Sequence, residues 1–175
     1  GTEDLQKLAG AGADEGLFDP ISTSIKQRSP WLLVNLMTAF IASGVVGMFD
    51  TNIAALPILA VFMPIIAGIG GNTGAQTLAV TVRSIALGEA GIFDMRRVCV
   101  RETCKGFLNG ICIWLLGALL AVITTFRFDL ALIVWVAMVI NMSLGGFMGS
   151  FIPFTLKRFG FDPASGSSIF TTGFT

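Results

Sequence analysis

Four long stretches of this 175-residue chain contain almost no charged side chain: 31–49, 53–69, 107–126 and 130–156. A helix needs about 17–25 predominantly apolar residues to cross the hydrocarbon core of a bilayer, and each stretch is long enough or slightly longer. A soluble bundle of buried helices would instead carry polar residues at helical spacing along one face of each helix, and these are missing. The chain is therefore expected to be an all-α polytopic membrane protein.

The apolar stretches and their flanking residues set the predicted boundaries. We expect four complete transmembrane helices at about 30–49, 53–76, 104–126 and 130–157, and the start of a fifth from residue 163 onward. The fifth is too short to cross a bilayer within this chain, so we expect it to be truncated here or to continue beyond residue 175. Residues 1–29 are polar and mixed in charge, and we expect them to form a cytoplasmic linker that leaves an upstream domain.

Basic residues predict the orientation of the chain. Nearly all of the 11 Lys and Arg fall within residues 7–28, 83–105 and 157–158, whereas the first connection has none and the third has only Arg127. Because basic residues are enriched in cytoplasmic loops, this pattern predicts a cytoplasmic N-terminus. The expected location is the bacterial inner membrane, crossed several times. Basic residues ahead of the third span are expected to reach lipid phosphates.

The second span carries the most unusual pattern. Pro57 and Pro64 each remove an intrahelical hydrogen bond, and the Gly-rich segment 68–77 follows them. Glycine destabilises a helix by about 1 kcal/mol relative to alanine, so the segment predicts a helix break. Non-helical backbone at membrane depth survives where it is buried in protein or lines a watery cavity. The alternative is that the glycines simply end the helix at the cytoplasmic surface.

The polar groups near this segment suit a hard cation. Asn72 and Gln76 offer neutral amide oxygens, and Mg²⁺, which loses its water reluctantly, is often held through such groups with one or two carboxylates. Asp50 follows the first span on the predicted outer side. Asp162 precedes the fifth span on the inner side, where it also fits a helix cap. Gly145 and Gly149 form a pair that supports close helix packing or dimerisation.

Several function classes are disfavoured by what the sequence lacks. The chain has no His, and no Ser or Cys stands beside a plausible base, so no catalytic arrangement is visible and an enzyme is not expected. A Walker-type phosphate loop is also missing, and nothing points to nucleic acid as a partner.

The segment from Pro64 to Gln76, PIIAGIGGNTGAQ, and the following VTVRSIALG resemble the transmembrane domain of the MgtE family of magnesium channels. Two further blocks agree with this resemblance, 2–8 and 149–164. It implies a homodimer with a pore at the dimer axis, lined by the second and fifth spans and open to largely hydrated Mg²⁺. It also implies that residues 1–29 are a remnant of the family's plug helix and follow a regulatory CBS region that is absent from this chain.

The resemblance also implies roles for individual residues. Asn72 and Asp162 are expected to contact the metal ion, and Asp50 is a candidate for the outer mouth, although the family often has Glu there. The segment expected to line the pore comprises Pro64, Gly68, Gly70, Gly71, Asn72, Gly74 and Gln76. The family's principal pore carboxylate would fall after Thr175.

The resulting hypothesis is Mg²⁺-selective, channel-type import through residues 30–175, with the membrane potential as the driving force. Two alternatives stay open: a divalent-cation transporter coupled to Na⁺ or H⁺, and a non-conducting membrane assembly module. Whether Mn²⁺, Co²⁺ or Ca²⁺ also pass is equally open. The expected partners are a second copy of the chain, membrane lipids and the upstream regulatory region.

Overall fold

The computed structural model describes residues 8, 16, 18–125, 128–164 and 167–174. The helices with described bounds are α1 (Ile21–Gly47), α2 (Asp50–Ala55), α3 (Ile58–Ala86), α4 (Met95–Thr125), α5 (Phe128–Arg158) and α6 (Ser167–Phe174). A single turn of 3-10 helix, Ile92–Asp94, precedes α4. Within the described residues there is no strand, so the predicted all-helical class is confirmed.

Three of the described helices are long and apolar enough to cross a membrane: α1, α3 and α5, with 27, 29 and 31 residues. At a rise of 1.5 Å per residue, each exceeds the roughly 30 Å of bilayer hydrocarbon. The third predicted span falls largely within α4, and its last residue lies outside the described residues. Three expectations stay predictions: that α4 crosses the membrane, that the N-terminus is cytoplasmic, and that a fifth span begins at α6.

Helix α5 lies at the centre of the packing and contacts α3, α4 and α6. One apolar cluster joins Phe62 of α3 to Val134 and Met138 of α5. A second joins Ile85, Ala90 and Phe154 near the other end of α3. Helix α1 differs, because it has no buried residue and makes its described contacts mainly with α6. The core that positions α3 is therefore built chiefly by α5.

The predicted helix break in the Gly-rich segment is wrong. Helix α3 continues without interruption from Ile58 to Ala86, so the second span neither begins at 53 nor ends at 76. Pro64 lies inside this helix, whereas Pro57 immediately precedes it and separates it from α2. Tertiary packing overrides the low helix propensity of glycine here, because two of these glycines, Gly70 and Gly74, lie against α5.

Other helix boundaries also differ between the prediction and the structure. Helix α1 begins at Ile21 and Pro30 lies inside it, so a helix start at Pro30 is wrong. Helix α4 begins at Met95, ahead of the predicted 104, because its first turns extend the apolar stretch with a charged, helix-compatible segment. Helix α5 agrees closely with the predicted 130–157.

Most of the predicted N-terminal linker lies outside the described residues, as does Thr175. Leu8 is described, and it packs against Leu78 and Val82 of α3 and Ala164. Its carbonyl oxygen accepts a hydrogen bond from the hydroxyl of Ser168 in α6. This part of the N-terminal arm therefore touches the α3–α6 end of the bundle.

Candidate functional site

The Gly-rich segment of α3 is divided between two faces of one helix. Gly70 and Gly74 are buried, whereas Gly68, Asn72 and Gln76 are exposed. Because each residue turns an α-helix by about 100°, residues two positions apart point in nearly opposite directions. We call the face with Gly70 and Gly74 the packed face, and the face with Gly68, Asn72 and Gln76 the open face.

The packed face brings the backbones of α3 and α5 into contact. A methyl group on Gly145 would lie 2.6 Å from the carbonyl oxygen of Gly70, and one on Gly149 would lie 2.5 Å from that of Gly74. On Gly74 itself a methyl group would lie 2.5 Å from Thr171 Cγ2 of α6. Small residues at four-residue spacing permit such close approach between membrane helices. The two glycine pairs therefore pack helices within one chain.

Asn141 of α5 makes the polar contact of the packed face. Its Nδ2 donates a hydrogen bond of 2.8 Å to the carbonyl oxygen of Ile66. The amide group lies directly over Gly70, where a methyl group would collide with it. Gly70 therefore leaves the space in which Asn141 links α5 to α3.

The open face has a different character. Pro64 and Gly68 are exposed, and a methyl group on Gly68 would meet no atom within 4 Å. The side-chain amides of Asn72 and Gln76 are exposed too, and they have no partner among the described residues. Unpaired amides facing hydrocarbon are costly, so such groups usually face protein or a watery cavity. Gly71 lies half-buried between the two faces.

The two predicted carboxylates lie apart from this segment in the chain. Asp162 is half-buried in the turn between α5 and α6, and its Oδ1 accepts a 3.0 Å hydrogen bond from the backbone N–H of Ala164. This bond forms an Asx turn and not a cap of α6, because α6 begins only at Ser167 and not at the predicted residue 163. Asp50 is exposed and is the first residue of α2. The structure thus places Asp162 beside the start of α6, and Asp50 in the connection between α1 and α3.

The described residues hold no group of three or more His, Cys, Asp or Glu side chains placed to bind a metal ion directly. In the described part of one copy, Asp50 and Asp162 therefore belong to no carboxylate cluster that could replace the water shell of an ion. Such an arrangement can contact an ion that keeps its own water, which is how Mg²⁺ is commonly bound.

The structure also shows polar residues that the sequence reasoning did not select. A cavity of about 490 Å³ lies between α1, α3, α5 and α6. Asn35, Thr38, Asn141 and Thr172 contribute its polar side chains, and none of the predicted pore-lining residues borders it. Single polar residues within apolar helices were the available signal, but only the three-dimensional packing brings them together.

Comparison with known proteins agrees with this architecture. A family model described as a divalent cation transporter, MgtE, matches residues 63–175. Magnesium transporters MgtE of Enterococcus faecalis and Thermus thermophilus are each 29% identical to the chain, over 169 and 167 residues. That of Bacillus subtilis is 28% identical over 165 residues.

These alignments cover 97%, 93% and 94% of this chain, but only 37%, 36% and 37% of the three relatives. The chain thus spans little more than a third of the length of the relatives it matches. The family model covers most of the chain, including α4, α5 and α6 completely. Together with three helices long enough to cross a bilayer, this places the chain in the inner membrane as a member of the MgtE family of divalent cation transporters.

Proposed function

We propose that this chain forms the transmembrane pore unit of a magnesium channel, and that Mg²⁺ enters the cell along the open face of α3. The observation that carries the proposal is the pair of exposed amides of Asn72 and Gln76, which have no partner among the described residues and lie on a helix able to span the membrane. The relatives described as magnesium transporters support the choice of ion.

The pore is completed by a second copy of the chain. Two open faces turned towards a common axis would enclose a watery path, with α6 as the second lining element from each copy. This arrangement removes the cost of exposing the two amides to lipid. It also accounts for the small residue on that face, Gly68, because a hydrated ion needs space and contacts oxygen atoms through its water.

The carboxylates act at the ends of the path. Asp162 raises the local concentration of cations at the inner mouth while it caps the turn before α6. Asp50 is proposed at the outer mouth. Because two positive charges moving inward through about 100 mV gain about 4.6 kcal/mol, import requires no coupled ion.

The test is Mg²⁺ uptake into Mg²⁺-depleted cells that lack their own uptake systems and express the complete coding sequence. Asn72→Ala should reduce uptake about fivefold or more, which corresponds to the loss of about one hydrogen bond to the hydrated ion. Asp162→Asn removes the charge but keeps an oxygen that can accept the Ala164 N–H, so the turn should be preserved. Uptake should fall less than in Asn72→Ala, because attraction of cations at a solvent-exposed mouth is screened by salt. Asn109→Ala, at an exposed asparagine of α4, is the matched control and should transport normally.

Wild-type uptake by both Asn72→Ala and Asp162→Asn would contradict the proposed path. The channel mechanism is tested separately in membrane patches without a Na⁺ or pH gradient. A current that reverses at the Mg²⁺ equilibrium potential supports a channel, whereas no current under these conditions supports coupled transport.

A further inference from the structure

A second surface, on the other side of α5, has no role in the proposed path. Helix α4, with the turn before it, and helix α5 form an apolar groove of about 510 Å³. Along α4 it follows one face, from Arg96 through Val100 to Cys104, over about 12 Å. Phe147 and Phe151 of α5 form its other wall, with their rings stacked at a centroid distance of 5.2 Å. Cavities of this size commonly hold small ligands.

We propose that this groove binds one anionic phospholipid, with an acyl chain along the apolar walls and the phosphate on Arg96. The inference depends on the location of the chain in a membrane and not on the proposed ion path. It assigns one basic residue, out of several in the same segment, to a defined lipid.

Arg96 is the only charged residue among the described residues that line the groove. Arg96 is exposed, and its guanidinium has no carboxylate partner among the described residues. A guanidinium in this position can donate two parallel hydrogen bonds to a phosphate. The charged end of the groove and its apolar remainder match the polarity of a phospholipid.

The neighbouring basic residues of α4 do not line this groove. Lys105 forms an ion pair with Glu102, which is largely buried. Arg97 and Arg101 border a separate cavity of about 300 Å³, which is also lined by the acidic residues Glu89 and Asp94. The basic segment that the sequence presents as one cluster is thus divided by the fold, and only Arg96 reaches the groove.

The charges that line the groove favour a lipid with an anionic headgroup. A zwitterionic headgroup would gain from a carboxylate beside its ammonium group, but none of the described residues that line the groove carries one. The nearest acidic residue in sequence, Asp94, accepts a 2.9 Å hydrogen bond from the backbone N–H of Gly91. Basic residues at the predicted cytoplasmic ends of membrane helices attract anionic lipids by about 1 kcal/mol each.

The turn beside Arg96 also fits a position at the lipid boundary. Phe93 borders the groove and is fully exposed, and Ile92 and Leu87 in the same connection are exposed as well. Exposed aromatic and aliphatic side chains next to an arginine are typical of the interface between headgroups and hydrocarbon. The phosphate of a lipid in the groove would lie at this level.

The experiment is native mass spectrometry of the delipidated protein, made from its complete coding sequence, with added dioleoyl phosphatidylglycerol or dioleoyl phosphatidylcholine. Wild type should retain one phosphatidylglycerol per copy in preference to phosphatidylcholine. Arg96→Gln should weaken phosphatidylglycerol binding about fivefold, as expected for one basic side chain at about 1 kcal/mol. Arg97→Gln removes the same charge one position away and should bind like wild type.

Alkylation of Cys104 by a maleimide provides a second measurement. Cys104 is exposed and borders the groove, whereas Cys112 is exposed but does not border it. Phosphatidylglycerol should slow alkylation of Cys104 in wild type and in Arg97→Gln, but not in Arg96→Gln, and should leave Cys112 unchanged. Val100→Trp, which fills the groove without altering charge, should remove the bound lipid, and gel filtration checks that it folds.

Four results would overturn the proposal: equal binding by Arg96→Gln and Arg97→Gln, equal binding of the two lipids, retention of the lipid by folded Val100→Trp, or slowing of Cys104 alkylation by inorganic phosphate alone. The first would indicate diffuse attraction by the whole basic segment, and the last a site for a free anion.

Discussion

The two faces of α3 are drawn from the same ten residues and yet have opposite surroundings. On the packed face a methyl group does not fit: on Gly70 it would collide with Asn141 of α5, and on Gly74 with Thr171 of α6. On the open face, a methyl group on Gly68 would meet no atom within 4 Å, and the amides of Asn72 and Gln76 are exposed. Both faces contain glycine, but only on the packed face does the absence of a side chain allow the helices of one chain to pack.

The two faces of α3 therefore have separate tasks, one in packing and one in the proposed ion path. The packed face fixes where α3 lies, because backbone-to-backbone contact with α5 leaves little freedom to shift. The open face can then present its amides in a constant position without contributing to the core. If this division is correct, substitutions on the packed face should lower stability, and those on the open face should lower transport.

The largest effect is expected on the packed face. Gly149→Ala would place a methyl group 2.5 Å from the carbonyl oxygen of Gly74 and 2.9 Å from Thr77 Cβ. Because one of these neighbours is backbone, the helices must separate, and we expect a loss of about 1–3 kcal/mol of stability. Thermal unfolding in detergent measures it. Gly44→Ala in α1, where a methyl group meets nothing within 4 Å, is the control. Equal unfolding temperatures for the two variants would refute close packing at Gly149.

On the open face, Gln76→Leu should separate transport from stability. The side chain is exposed and has no partner among the described residues, so its replacement should leave the unfolding temperature within error of wild type. Mg²⁺ uptake should fall about fivefold if the amide contacts the water shell of the ion. Asn109→Leu makes the same kind of change on α4 and should transport normally. Normal uptake by Gln76→Leu would remove this residue from the path.

Much of the fold could be predicted from the sequence, because long charge-free stretches are a strong signal for membrane helices. The orientation that the basic loops predict stays a prediction. The predicted fourth span and α5 (Phe128–Arg158) agree closely. The break expected after Pro64 was wrong, since single-residue helix propensity does not include the contact that Gly70 and Gly74 make with α5. Helix starts were placed too late wherever polar turns, such as Ile21 to Ser29, extend an apolar helix.

The candidate site was harder to predict. The Gly-rich motif selects one helix, α3, as the candidate, but spacing alone did not separate the residues that pack from those that are exposed. That separation needs the position of Gly145 and Gly149 on α5, which are distant in the sequence. The roles of Asn72 and Asp162 at an ion stay predictions. The cavity bordered by residues 35 and 172 depends on the placement of four helices, so the single polar residues that line it could not be grouped from the sequence alone.

A smaller effect is expected for the polar link within the packed face. Asn141→Leu removes the hydrogen bond from Nδ2 to the Ile66 carbonyl oxygen. Hydrogen bonds between membrane helices contribute about 0.6 kcal/mol on average, so a loss of about 0.5–1 kcal/mol is expected. A double-mutant cycle with Gly70→Ala measures the coupling, because the amide and the new methyl group compete for one space. Additive losses would show that Asn141 and Gly70 act independently.

The smallest effect on stability is expected for Gly68→Ala, and its comparison with Gly70→Ala distinguishes the two faces most directly. Gly68→Ala adds a methyl group where no atom of the chain lies within 4 Å, and alanine favours a helix by up to about 1 kcal/mol over glycine. Stability should therefore stay unchanged or rise slightly, whereas Gly70→Ala should lower it, as measured by thermal unfolding of the two variants side by side. An open face that borders a watery path has room for the methyl group even in the assembled protein. A loss for Gly68→Ala as large as that for Gly70→Ala would mean that another chain packs directly against this face, and it would remove the space that the proposed hydrated ion requires.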